Sequence, residues 1–596
     1  MKYDNLYIIG GEDTKYLNKI DKTSNIIFLD KEQEGFENRF SIIRSFQEQQ
    51  SFLREKWITL QKEVFKKIQP YIDQDDDFRY VLSGLFFEAS PNKTNSMYQF
   101  FKFYLIIDYI KKQNIKNIFL VNVSEDVKYF FNLNIKNFFS SIKIITIKKK
   151  KLSLKNSIKN LTKKYLLSTL LNSLIIEYKK NKQKPSLQKS RSSKVVFSYY
   201  YPGGHSFNNG FSSKYFEDVS SLLNKEYNWL FLYVGNLNKL REESGLIKDN
   251  VNSFGFLDAY FSLTDFQKIT LKFLRIRKKL QSIKLKNLFI FEEVDYFCFT
   301  KSDWHTSVSS LLLNLLIFEK KISNFFAVNP QINEFVYLME FQPWELMVNK
   351  IAQKYGVKTK GVIHSVVRPN VMNYYHPKLI HPYLYMPSFV GANSNFSKSL
   401  LLQNGFNSDQ VLKVEAQRFN YLAQTQIKVN SKKLKLKKTI LIITSIIPEE
   451  TKELLEFFAL SNVKFEKVYI KEHPLFSVSS IIKSMVRKFP PYELIKGAVS
   501  DALECSDIVY TANGSSVLLE SVLRKKHTIS LISLSTLPIP AITKASNLYF
   551  AYDVNSLSTI LNRLTLKPSS NTLIDSDNNY LYFDKELNLW REFLKK

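Results

Sequence analysis

The stretch SDIVYTANGSSVLLESVLRKKHTISL, Ser506 to Leu531, decides the fold. DIVYT is short, apolar and β-branched, and reads as a strand. ANGSS is a tight polar loop. SSVLLESVL has apolar residues at helical spacing, and HTISL reads as the next strand. Strand, loop, helix and strand in immediate succession form the repeat of a parallel α/β sheet. This order puts Ser515 and Ser516 at a helix N-terminus, beyond the carboxyl end of a strand. Free backbone N–H groups and the helix dipole favour an anion there. Gly514 lets a phosphate approach closely, and Glu520, one turn into the helix, is near enough to bond a ribose hydroxyl. The plainer reading is a capped core helix with Ser516 as N-cap.

Upstream, YIKEHPLF (Tyr469–Phe476) repeats the geometry. The strand KVYI delivers Lys471 and His473 at its carboxyl edge, and Pro474 stiffens the exit. Ligands of open α/β sheets bind at such edges. A histidine there can donate to a phosphate or protonate a leaving group; a loop histidine without a chemical role is the alternative. Further back, TILIIT runs through Thr444 into Ser445, and Pro448-Glu449-Glu450 opens a helix. A fresh α/β unit therefore starts near Lys438.

The preceding half shows the same alternation. NLYIIGG, NIIFLD, NIFLVNVSED and IKIITI are strands between helical stretches, covering roughly 1–147. KVVFSYYYPGG and WLFLYVGN resume the pattern. EFVYLME is a strand, PWELMVNKIAQKYG a helix with Pro343 near its start and Gly356 at its end, and KTKGVIHS the next strand. Glu340, His364 and Arg368 are thereby expected at one carboxyl edge. Glu88, in GLFFEASPNK ahead of Lys93, is a carboxylate among aromatic residues, where a raised pKa suits a base. Plainer readings are helix-start charges for Glu340 and Glu345, a surface ion pair for Arg368 and an exposed loop acid for Glu88.

At 596 residues with 44% hydrophobic composition, the chain is folded and too long for one core. Lys and Arg exceed Asp and Glu by 85 to 55, a net charge of +30. That suits an anionic partner, although an AT-rich codon bias also enriches lysine. The segment 148–193 holds one acid, Glu177, among many lysines; it reads as a basic helix and linker suited to an anionic membrane surface, or as an ordinary helix with a solvated linker. Cys298 and Cys505 form no metal-spaced cluster, and the absence of a disulfide framework fits a reducing compartment. The start does not read as a signal peptide, and no apolar run reaches membrane-spanning length. Walker A, HExxH, GxSxG, CxxC and GxGxxG patterns are absent. A nucleic-acid binder is disfavoured, because the basic residues are dispersed and no recognition module occurs.

KEHP followed by NGSSVLLE resembles the HP and S motifs of bacterial glycosyltransferases that use CMP-activated acidic sugars, the polysialyltransferases and the capsule or lipopolysaccharide Kdo transferases. Teichoic-acid polyol-phosphate transferases carry a similar pair. YLMEFQPWE through GVIHSVVRP, with FFEASPNK and EAQRFNYL, resembles a family of surface carbohydrate (O-antigen) biosynthesis proteins. These short blocks run from Phe86 to Glu520. Gly514 stands where relatives often carry another polar residue, and the acidic-acidic-glycine motif of the polysialyltransferases is missing.

The resemblance implies a GT-B-like α/β fold, two Rossmann-like domains facing a cleft, with an enlarged N-terminal half. The expected regions are 1–147, an α/β region; 148–193, basic; 194–425, the rest of the acceptor half; 426–570, the nucleotide-sugar-binding domain; and 571–596, a final helix. Thr444, Ser445, Lys471, His473, Pro474, Gly514, Ser515, Ser516 and Glu520 would bind the donor. Lys93, His364, Arg368 and Arg418 would lie on the acceptor or phosphate side. Glu88 or Glu340 would be the base, and His473 would serve the leaving phosphate. The resemblance implies no metal and no cofactor beyond a CMP-linked donor substrate. The expected protein is a metal-independent, inverting glycosyltransferase acting on a glycan or lipid-linked glycan. It would be cytoplasmic and peripheral at the inner face of the cell membrane, with no nucleic-acid partner. The alternatives are a CDP-polyol phosphotransferase and a non-catalytic assembly scaffold.

Overall fold

A computed structural model shows three parallel sheets wound in the same way. The structure describes residues 5–10, 20, 24–30, 39–91, 93–113, 115–138, 142–147, 170, 192–202, 204–207, 210–235, 239–251, 253–285, 287–375, 383–422, 439–473, 477–485, 488–533, 536–566 and 580–596. Pro474 and nearly all of the basic segment 148–193 lie outside them.

The first sheet comprises β1 (Asn5–Ile9), β2 (Asn25–Phe28), β3 (Arg39–Phe40), β4 (Asn117–Val121) and β5 (Lys143–Ile147), in the order β3-β2-β1-β4-β5. The second comprises β6 (Lys194–Tyr200), β7 (Asn228–Tyr233), β8 (Phe254–Phe256), β9 (Glu334–Leu338), β10 (Lys358–Val362), β11 (Phe389–Ala392) and β12 (Val411–Lys413), in the order β8-β7-β6-β9-β10-β11-β12. The third comprises β13 (Thr439–Ile443), β14 (Lys467–Lys471), β15 (Glu493–Leu494), β16 (Ile508–Ala512), β17 (His527–Leu531) and β18 (Leu548–Ala551), in the order β15-β14-β13-β16-β17-β18. Each sheet starts at a central strand, winds one way for two strands, then returns to pair its fourth strand with its first. Such a reversal leaves a crevice beyond the carboxyl ends of those two strands. β9 and β16 are buried at every residue. Strands covered by helices on both faces lose the polar alternation of exposed sheets and become continuous apolar runs.

The units interlock. The helix Leu263–Gln281 and the helical run 297–328 follow β8, yet Phe273, Ile276, Trp304 and Leu312 join the core of α1 (Ile42–Gln74) and α3 (Ser96–Lys112), with α2 (Leu85–Glu88) between them. Ile532, Leu537 and Ile539 of the third unit enter that core too. Buried Asn370 joins all three: it accepts from Arg54 at 3.0 Å and donates to the Pro538 carbonyl at 2.7 Å.

The chain ends on the second unit. In α7 (Asn588–Lys595) and at its start, the N–H groups of Leu589 and Trp590 donate to the Glu415 carboxylate, both at 2.9 Å. Fully buried Lys360 pairs with Glu334 at 2.9 Å and donates to the Leu594 carbonyl at 2.9 Å. The second and third sheets are thus two Rossmann-like domains facing a cleft, the GT-B arrangement, with the first sheet as an added unit of the same winding. Among the described residues no helix is long and apolar enough to cross a membrane.

Candidate functional site

A cleft of about 870 Å³ opens where β13 and β16 diverge. β13 delivers Thr444 and Ser445, β14 delivers Lys471 and His473, and β16 leads through Asn513 to Gly514, Ser515 and Ser516. The facing wall carries Lys93, Thr94 and Asn95 before α3, with Arg368 and Arg418 from the second unit. Ten of the residues singled out from the sequence therefore line one space. Glu88, Glu340, His364 and Glu520 do not line it.

The cleft is electropositive. Lys93, Lys214, Arg368, Arg418 and Lys471 line it against the carboxylates Glu450 and Glu472. Burial, with Arg418 nearby, pushes Arg368 down to about 10, still charged at neutral pH. Arg418 donates to Ser516 Oγ at 3.3 Å, tying the second unit to the serine loop. The Lys471 ammonium donates to the Gly497 carbonyl at 2.7 Å, and the His473 N–H donates to Thr444 Oγ1 at 2.9 Å. Burial lowers the His473 imidazole, favouring its neutral form. Glu472 accepts from Ser477 and from the Val478 N–H, and so shapes the exit from β14.

Glu450 holds the cleft's loops together. It lies in the first turn of α5 (Pro448–Ser461) and is 2% exposed. It accepts from the Ser445 hydroxyl after β13, from Asn513 Nδ2 after β16 at 3.0 Å, and from Thr536 after β17 at 3.3 Å. Asn513 in turn accepts the Ile539 N–H at 2.6 Å. An acid in a helix's first turn is the one hint of this in the sequence, because its partners lie on loops far along the chain.

Behind the Lys93 wall sits an acidic cluster. Lys93 reaches Glu88 at 2.6 Å and Gln342 at 3.2 Å, and Gln342 donates to Glu340 at 2.8 Å. Glu88 is buried at the end of α2, and its Oε2 has no hydrogen-bond partner. Burial raises its pKa, Lys93 opposes that, and Glu340 adds to it. Glu345, in the first turn of α4 (Pro343–Lys354), accepts the Glu340 N–H at 3.1 and 3.0 Å, shaping the loop after β9. His364 follows β10 edge-on to Tyr215, its Nδ1 unpartnered; burial lowers its pKa while Glu340 raises it. Glu520, in α6 (Val517–Leu523), accepts from the Tyr421 hydroxyl and so fastens the helix to the 416–422 segment. No cluster of three His, Cys, Asp or Glu suited to a metal occurs among the described residues.

No family model matches the chain, and no curated protein matches it significantly. Solved structures do. UDP-N-acetylglucosamine 2-epimerase from Rickettsia bellii aligns with 8% identity over 67% of this chain and 92% of its own, with a TM-score of 0.37. An Anabaena protein in complex with UDP and glucose aligns with 10% identity over 65% and 92%, at 0.34. UDP-GlcNAc 2-epimerase from Neisseria meningitidis, bound to UDP-GlcNAc, aligns with 11% identity over 57% and 82%, at 0.32. Likenesses this weak say nothing about activity; the α/β winding rests on this chain's own strand order.

Proposed function

We propose that the chain is a glycosyltransferase that moves a sugar from a nucleotide donor, CMP-linked and acidic, onto a glycan or lipid-linked acceptor of a bacterial surface polysaccharide. The observation that carries this is the electropositive cleft at the β13/β16 switch point, where Ser515, Ser516, Thr444 and His473 converge. Hydroxyls and fixed cations on such an edge suit the phosphate of a nucleotide.

Arg418 and Arg368 offset the phosphate charge as the glycosidic bond breaks, and the hydroxyls of Ser515 and Ser516 donate to its oxygens. His473 donates its ring N–H to the same group; an adjacent phosphate raises its pKa and draws it toward the protonated form that serves a leaving group. Glu88 takes the proton from the acceptor hydroxyl. Its Oε2 has no hydrogen-bond partner, and Lys93 connects it to the cleft wall. Glu340, held by Gln342, is the second choice. Glu520 acts by positioning the serine helix.

The test is release of CMP from CMP-activated sialic acid and Kdo, followed chromatographically with and without polysaccharide acceptor. Acceptor-stimulated release that drops about a hundredfold in His473→Ala supports the mechanism, the usual size of a general acid–base effect. Unchanged turnover in His473→Ala refutes it. A phosphodiester product formed with release of CMP from CDP-glycerol or CDP-ribitol, supplied in a parallel reaction, would instead identify a CDP-polyol phosphotransferase.

A further inference from the structure

The first sheet has a crevice of its own, of about 460 Å³, beyond the carboxyl ends of β1 and β4. Gly10 ends β1 there; a Cβ would lie 3.0 Å from the Asn122 carbonyl oxygen, so the two strand ends touch and the crevice opens above them. Its volume is ordinary for a small-molecule site, about 300–1,000 Å³. The crevice meets the cleft at the turn Lys93–Thr94–Asn95, which lines both.

The two spaces differ in chemistry. Among the described residues of the crevice, Lys93, Lys102 and Lys301 stand against Asp30, Asp126 and Asp303, so their charges balance. Lys301 and Asp126 pair at 2.6 Å, and buried Asp303 accepts from Thr94 and from Ser96. Lys102, 4% exposed, donates to the Leu29 carbonyl at 2.8 Å. The rest of the polar lining among the described residues is neutral, Asn95, Gln99, Asn122, Ser124 and Ser302 among them. Phe103 and Phe299, stacked at 4.4 Å, add an apolar patch. Amides and hydroxyls beside an aromatic patch, with no net charge, suit uncharged sugar rings, whose edges donate and accept and whose faces are apolar.

We propose that this crevice is a second ligand site, binding uncharged sugar residues of the acceptor glycan so that its growing end lies across the Lys93 turn from the donor. The proposal rests on the glycosyltransferase reading. Adjoining neutral and electropositive spaces would then sort acceptor from donor by charge.

Saturation-transfer NMR on the full chain, with lactose, maltose and cellobiose as probes, tests it. Ser302→Trp plugs the crevice from an exposed helix position, and Gln99→Leu removes one amide at similar volume. The expected result is saturation of at least one disaccharide, lost in Ser302→Trp, weakened several-fold in Gln99→Leu and kept in Ser516→Ala. Unchanged melting of Ser302→Trp checks that it folds. No saturation of any probe, survival of the signal in both crevice variants, or stronger saturation of glucuronate than of the neutral sugars overturns the proposal. Signal lost in Ser302→Trp while no nucleotide raises the melting point would keep the crevice as a sugar site and discard the transferase reading.

Discussion

Glu450→Ala is the substitution with the largest expected structural effect on the cleft. It removes three side-chain hydrogen bonds, from Ser445, Asn513 and Thr536. Each is worth about 0.5–1.5 kcal/mol net, and the orphaned Asn513 amide, 1% exposed, costs about 1–3 kcal/mol more. Relief from burying a carboxyl group offsets part of this, leaving about 2–4 kcal/mol. Across 596 interlocked residues, at about 2.1 cal/mol/K of unfolding entropy per residue, that corresponds to a melting point lower by roughly 2–3 °C. Glu450→Gln keeps acceptors for Asn513 and Thr536 and loses one for Ser445, so it costs about 1 kcal/mol. Burial raises the Glu450 pKa above its unfolded value. The folded state thus keeps a proton that the unfolded state releases, so this group's contribution to stability falls as pH rises from the ordinary carboxylate range through the folded pKa. Both variants lose that slope. Thermal unfolding followed by tryptophan fluorescence across pH 4–8 (roughly, the span of the titration) reads both effects. An Ala variant that melts with wild type would refute the claim that Glu450 holds the three loops.

Gly514→Ala separates folding from binding. A Cβ there meets nothing nearer than Ile539 at 3.7 Å, so the unliganded protein should melt as wild type while nucleotide stabilisation is lost. Glu217 is pushed up to about 7 by burial, with Asp218 adding to it. Its folded pKa exceeds the unfolded one, so wild type loses stability as pH rises toward 7; Glu217→Gln should melt like wild type in acid and higher than wild type above neutrality, read by differential scanning calorimetry. Lys360→Met leaves Glu334 buried with only the Tyr227 hydroxyl and frees the Leu594 carbonyl; about 3 kcal/mol of stability should go, with α7 cut early in limited proteolysis.

The strands were legible because parallel sheets demand unbroken apolar, β-branched runs. DIVYT, TILIIT and EFVYLME appear as strands Ile508–Ala512, Thr439–Ile443 and Glu334–Leu338. Pro343 opens α4, and Gly356, at φ +69°, ends the following turn, as their backbone preferences require. The two-residue edge strand Glu493–Leu494 was not legible, since both residues are exposed and carry no pattern. Helix Leu263–Gln281 has a readable apolar face, but nothing local says that this face joins the first unit's core. At the site, strand ends revealed Thr444, His473, Ser515 and Ser516. Glu520 was placed by helical spacing alone, which fixes its height above the loop but not its direction; Tyr421 takes it away from the cleft. The crevice of the first sheet depends on the helical run 297–328 folding back onto the first unit, and no single stretch encodes that.

The central claim, that the β13/β16 cleft binds a nucleotide, is tested most directly by thermal unfolding with CMP, CDP, UDP, GDP and dTDP, for wild type and Ser516→Ala. A ligand that binds only the folded form at a hundred times its Kd adds about 2.7 kcal/mol, enough to move the melting point clearly. CMP should raise the melting point of wild type, and Ser516→Ala should abolish that shift. A preference for UDP or GDP would keep the cleft and discard the CMP-linked donor; no shift with any of the five would contradict the claim.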